Sequence, residues 1–139
     1  MRRAVVAVLG LGVGVAALAG CGTGKAADLF VIERSGTIPG AKLTLQIIDD
    51  GFVRCNGGER RRLSGDLLLD AREIHRDLMP SAEEDLTLAP GPASVLRYRV
   101  RQQQGIVEFS DSSRAQPEAF SAVQGFTRTI AKRVCGLAR

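Results

Sequence analysis

Leu43-Thr44-Leu45-Gln46-Ile47-Ile48-Asp49-Asp50-Gly51-Phe52-Val53-Arg54-Cys55 carries two apolar segments joined by a turn. Leu43, Leu45 and Ile47 alternate with Thr44 and Gln46, the period-two pattern of a strand with one buried and one wet face. Asp49-Asp50-Gly51 ends it. Glycine accepts positive φ, so Asp-Gly predicts a tight reversal into a second strand over Phe52 to Cys55. Asn56-Gly57-Gly58 repeats the turn signal, and Glu59 to Leu63 then predicts a further strand, polar on its outer side. The segment reads as an antiparallel meander.

Upstream, Phe30 and Ile32 lie on one side of a strand and Leu29 and Val31 on the other, which predicts a strand buried on both faces or at least well covered. Ser35-Gly36-Thr37-Ile38-Pro39-Gly40 joins it to the meander as a loop punctuated by two glycines and a proline. Downstream, Ser64 can cap a helix whose first turn holds Asp66 at the positive end of the dipole. Leu67, Ala71, Ile74 and Leu78 form its apolar stripe, and Pro80 is expected to stop it. Residues 81–94 read as a loop, acidic at Glu83-Glu84-Asp85 and then rich in Pro and Gly, and long for a compact domain.

Leu96, Tyr98 and Val100 alternate with Arg97, Arg99 and Arg101, and Gly105 turns that strand into Ile106 to Ser110. Phe120, Val123, Phe126 or Thr127, Ile130 and Val134 mark a closing helix begun after Pro117, with Gly136 a natural C-cap residue. The order of meander, helix, hairpin and helix predicts an α+β fold: an antiparallel sheet of five to six strands with two helices on one face. Aromatic residues make up only 4% of the chain and Trp is absent, so the core is expected to be aliphatic with a few Phe.

The start of the chain has a different character. Arg2 and Arg3 precede an uncharged apolar run from Ala4 to Leu18, too short for a permanent membrane span but suited to an export signal. Leu18-Ala19-Gly20-Cys21 resembles the bacterial lipobox. The resemblance implies diacylglycerol transfer to the Cys21 thiol, cleavage before Cys21, and retention on the outer face of the cell membrane through a lipid anchor. The competing reading is an ordinary secretory signal cleaved near Ala17 or Ala19. The expected organisation is a signal over 1–20, a lipidated Cys and tether over 21–27, and one domain over 28–136. Gly22 to Ala27, fully extended, reach roughly 20 Å, so the domain must work close to the bilayer.

Two further cysteines, Cys55 and Cys135, form an even pair in an exported domain and predict a disulfide. Closing a loop of roughly 80 residues stabilises by at most about 4.5 kcal/mol in the chain-entropy model. A reactive thiol or a metal ligand is the alternative use of this pair.

Charge and residue inventory narrow the function. The formal charge is +4, and loss of Arg2 and Arg3 with the leader lowers it by two, too small an excess for a nucleic-acid partner. His75 is the single histidine and sits one position off the helix stripe; no paired carboxylates or ligand cluster stand out. Neither an enzyme, nor a cofactor, nor a metal is expected. Arg60, Arg61 and Arg62 cannot share one side of a strand, whereas Arg97, Arg99 and Arg101 do. Those three are read as a wet strand face balanced by carboxylates such as Glu108, against attraction to anionic headgroups or an acidic partner.

Phe30-Val31-Ile32-Glu33-Arg34-Ser35-Gly36, the Asp50-Gly51 turn, the leucine-rich helix from Ser64, the Tyr98 strand with its Gly105 hairpin and the Pro117-initiated helix occur in this order. Together, over about residues 28–134, they resemble the emfourin family, small proteinaceous inhibitors of thermolysin-like zinc metallopeptidases. The resemblance implies a partner, a secreted metallopeptidase, and no catalysis. The lipobox and the Cys55 and Cys135 pair depart from the pattern of the family's soluble members. A stiff, accessible loop loses little entropy on docking, which makes Ser35, Gly36, Thr37, Ile38, Pro39 and Gly40 the candidate inhibitory loop, with 81–94 as the other candidate. The alternative function is a non-catalytic envelope accessory protein recognising a polymer, a lipid or a membrane-complex subunit.

Overall fold

A computed structural model describes residues 26–138. The proposed signal over 1–20, Cys21 and most of the tether lie outside the described residues. Eight elements follow in chain order: β1 (Asp28–Gly36), β2 (Leu43–Ile48), β3 (Phe52–Cys55), β4 (Arg60–Arg62), α1 (Gly65–Glu83), β5 (Leu96–Gln102), β6 (Gly105–Ser110) and α2 (Glu118–Arg133). The strands make one antiparallel sheet in the order β4-β3-β2-β1-β5-β6. The expected α+β architecture, one such sheet under two helices, is present.

Register sorts the side chains into two faces. Ile32 pairs with Leu45 and Val100, Leu45 with Cys55, and Val100 with Val107, so these share the inner face under the helices. On that face Phe30, Ile32, Leu45, Ile47, Val53, Val100 and Val107 are wholly buried. At about 25 cal/mol per Å² of apolar surface, each such aliphatic side chain contributes roughly 1.5–3 kcal/mol of burial. Thr44, Glu33, Arg99 and Glu108 form the matching row on the open face.

The two-sided burial expected for β1 is therefore corrected. A register irregularity between Asp28 and Phe30 lets Leu29 and Phe30 both be buried, but beyond it Val31 and Glu33 turn to the open face and are only half-buried.

α1 crosses the sheet over the end where β1 begins. Its first turns meet the β2–β3 turn, where Arg72 binds Asp49, and its last turn meets the β5–β6 turn. There a Cβ on Gly105 would come within 2.0 Å of the Ala82 carbonyl oxygen, so only glycine allows the approach. Ser64 caps α1, accepting from the Leu67 N–H as expected.

Pro80, expected to stop α1, lies inside it. It removes one backbone donor, while Ala82, 1% exposed, holds the following turn against the core. The continuous loop expected over 81–94 is likewise shorter. Residues 81–83 are helical, and Thr87 bridges Glu108 in parallel, with Leu88 N–H donating to Glu108 O and Glu108 N–H to Leu86 O. This strip covers the free edge of β6.

α2 runs the opposite way over the other end of the sheet. Phe120 stacks on Phe109 at 4.3 Å and Phe109 on Tyr98 at 5.2 Å; further along, Phe126 meets Phe30 edge-on at 6.1 Å. Five of the six aromatic residues, all but Phe52, are thus gathered under α2, where ring pairing adds to area burial. At its end Arg61 donates to the Val134 carbonyl, and the sulfurs of Cys55 and Cys135 are bonded, with Cα atoms 6.0 Å apart. The bridge ties the last element to β3.

Candidate functional site

The candidate loop is shorter than its sequence suggested. Ser35 and Gly36 finish β1, and residues 37–40 make the turn to β2. Gly36 cannot carry a side chain, because a Cβ there would lie 2.1 Å from the Val95 carbonyl oxygen. Thr37, Pro39 and Gly40 are exposed and Ile38 is half-buried. Gly40 takes φ +74°.

What holds this turn is Arg34. It follows Phe30 and Ile32 on the inner face and is only 5% exposed. Its Nε donates to Ala41 O at 2.9 Å and its second amino group to Gly40 O at 3.0 Å, so one guanidinium fork clamps the far side of the turn. Thr37 N–H donates to Val95 O and Ala41 N–H to Ile38 O, both at 3.1 Å. The turn is pinned at both ends. Arg34 also hydrogen-bonds with Tyr98, its neighbour across the ladder. Burial pushes the Tyr98 phenol above its ordinary value of 10.0, and the charges of Arg34 and Arg128 draw it partly back.

Next to it lies a second pinned loop. Both carboxylate oxygens of Asp111 accept from Val95 N–H, one from Leu96 N–H and the other from Ser94 Oγ. Ser110, Ser113 and Gln116 hydrogen-bond to one another below it, and Ser113 Oγ donates to Ala89 O. The end of the sheet opposite the start of β1 is therefore built of short, internally bonded turns. Of the two candidate loops, 35–40 projects as a turn, whereas the middle of 81–94 lies along the β6 edge.

A trough of about 650 Å³ adjoins the turn on the open face. Ser35, Gly36, Lys42 and Thr44 line one side; Arg97, Arg99, Glu33 and Glu108 form the middle; Thr87 to Pro90 raise the far wall. Arg99 reaches Glu108 at 2.8 Å and Glu33 at 3.6 Å, and Arg101 reaches Glu33 at 3.2 Å. The hydrogen bond to Glu108 is the main cause of the upward shift at Arg99. The balancing by carboxylates expected for this strand face holds for Arg99 and Arg101. Arg97 has no carboxylate partner among the described residues.

Arg60 and Arg62 flank the Phe52 ring at 4.1 and 4.9 Å on the open face, Arg60 also pairing with Asp50, while Arg61 turns to α2. The triplet is split, as its spacing required. Within the acidic run, Asp85 Oδ1 accepts from Ile106 N–H at 2.8 Å and locks the β5–β6 turn to the end of α1. His75 is half-buried on α1, its Nδ1 buried without a hydrogen-bond partner. On the opposite side of the molecule a groove of about 770 Å³ between α1 and α2 has Ile74, Ala122 and Phe126 in its lining and Asp70, Glu73, Asp77 and Glu118 around them.

Among the described residues no group of His, Cys, Asp and Glu is placed to hold a metal ion, and no helix is long and apolar enough to cross a membrane. Arg34 is the residue of this site, holding its turn, that reading the sequence missed. Its signal was present: a charged residue in step with Phe30 and Ile32 on a strand's buried face needs a buried partner. No protein-family model, no curated protein and no solved structure matches the chain.

Proposed function

We propose that this is an exported envelope protein, anchored to the outer face of the membrane by lipid on Cys21, whose domain inhibits a thermolysin-like zinc metallopeptidase through the turn after β1. The observation that carries the reading is the clamp on that turn. A loop held by the Arg34 fork and by Val95 before any partner arrives loses little further freedom on docking. The placement is also favourable. β1 is nine residues long, so its far end lies about 30 Å from its start, and a lipid near the start leaves the turn facing away from the bilayer. The emfourin-like string Glu33-Arg34-Ser35-Gly36 leads directly into it.

Two measurements test the parts separately. Mass spectrometry of the mature N-terminus reads acylation of Cys21; an unmodified thiol, or protein diffusing freely in the medium, overturns the anchor. Replacing Ile38 and Pro39 together by Gly frees the turn and should weaken inhibition of the peptidase at least tenfold, about 1.4 kcal/mol. Unchanged inhibition removes the turn from the contact. The second reading, an accessory protein that binds an envelope component without inhibiting anything, is favoured by the walled trough on the open face.

A further inference from the structure

We propose that the trough on the open sheet face is a binding site for a phosphate group, with Lys42 and Arg97 as its charged ligands. Ser35 pairs with Arg97 across β1 and β5, and Lys42 stands one position beyond the Arg34 and Leu43 pair across β1 and β2. Lys42, Ser35 and Arg97 therefore form one row across three adjacent strands, their Cα atoms spread over about 10 Å. All three side chains are exposed on the same face.

The next row is already neutralised. Arg99 is shared between Glu108 and Glu33, and Glu33 also takes Arg101. No carboxylate among the described residues pairs with Lys42 or Arg97. Two uncompensated cations thus face each other over the Ser35 hydroxyl, with Thr44 beside them in the same trough. A phosphate monoester carries about −1.5 to −2 charge and three acceptor oxygens, which matches two cations and two hydroxyl donors better than a single carboxylate does. The guanidinium offers a two-pronged contact and the ammonium a point charge.

The wall gives the site depth that a bare strand face lacks. The parallel bridge of Thr87 to Glu108 raises residues 87–90 along the β6 edge, so that the sheet face is bounded on one side. Its volume of about 650 Å³ exceeds a lone phosphate and leaves room for the group that carries it. The site does not depend on the peptidase reading, since a phosphate carried by a small molecule or a lipid headgroup would serve.

The test uses the full mature chain in neutral detergent, isotopically labelled, and titrated with inorganic phosphate and with glycerol phosphate against matched chloride. The expected result is saturable amide shifts confined to Ser35, Lys42, Thr44 and Arg97. K42E and R97E should each weaken binding at least tenfold, whereas R76E, the same charge reversal on α1, leaves it unchanged. R97Q stands in for R97E if the latter loses the native spectrum. Vesicles of phosphatidylcholine with and without phosphatidic acid, a lipid phosphate monoester, form the second arm, read by hydrogen exchange over residues 40–45 and 94–100. Protection that needs phosphatidic acid and is lost in R97E assigns the phosphate to a lipid headgroup. Absence of saturable change in both arms, or binding that K42E and R97E leave intact, overturns the proposal. No peptidase enters the experiment, so its failure and that of the inhibitor reading are distinct.

Discussion

Replacing Arg34 by Met should loosen the turn without touching any residue exposed on it. Methionine retains the length and burial of the arginine stem but supplies no donor. The Ala41 carbonyl, in a residue only 3% exposed, then loses the 2.9 Å bond from Nε. An unsatisfied buried acceptor costs roughly 1–3 kcal/mol, and the part-buried Gly40 carbonyl recovers most of its loss from water. Relief of the desolvated guanidinium offsets a fraction. The net expectation is about 2 kcal/mol, an opening of the turn on the order of thirtyfold. Amide exchange reads this directly, because Ala41 N–H donates across the turn to Ile38 O and Thr37 N–H ties it to Val95 O. Both should exchange about thirtyfold faster in R34M, R34K should fall between, and amides of β3 should change only as global stability changes. Exchange at Thr37 and Ala41 as slow as in the parent would refute the clamp, and with it the claim that the turn is ordered before docking.

Three further expectations follow from the same framework. The double replacement C55A/C135A opens a loop spanning 80 residues and should lower stability by up to about 4.5 kcal/mol in urea melts, with the loss concentrated in α2; a midpoint unchanged from the oxidised parent would contradict the bridge's role. The chain holds one Tyr and no Trp, so ultraviolet absorbance reports Tyr98 alone, and its phenol should titrate above 10.0 in the native state and higher still in R34M. Because the folded value is raised, the unfolded chain loses this proton first: the stabilisation is complete below pH 10 and is lost as pH climbs through the folded value, so urea midpoints should fall in that window. F120A removes the ring between Phe109 and the rest of the α2 face and should cost about 3–5 kcal/mol by thermal or urea melts; a loss under 1 kcal/mol would mean the rings under α2 are not close-packed.

Alternation and turn chemistry made most of the sheet legible. Leu43, Leu45 and Ile47 against Thr44 and Gln46 needed no knowledge of partners, and Asp50-Gly51 set the reversal, with Gly51 at φ +87°. The helix stripes were equally local. What escaped was whatever depended on distant neighbours. Pro80 was misread because its cost is local, whereas the contacts of the turn around it, with Leu78 and Ala82 buried, come from the core. The pairing of residues 86–88 had no alternation to announce it; the edge of β6 imposes it. Arg34 left a local trace, its step with Phe30 and Ile32, but the row of Lys42, Ser35 and Arg97 emerges only when β1 is seated between β2 and β5, which no single segment specifies. The candidate site was therefore legible as a loop and illegible as a surface.

The proposed role of the clamped turn after β1 is to block a zinc metallopeptidase at the cell surface. Titrating the mature chain into a fixed concentration of a thermolysin-like peptidase, preferably one exported by the same cell, tests it most directly. The account predicts a linear fall in activity to an end point near one chain per enzyme, shifted to higher ratios when Ile38 and Pro39 are glycine. Full activity at a large molar excess, across several such peptidases, would contradict it.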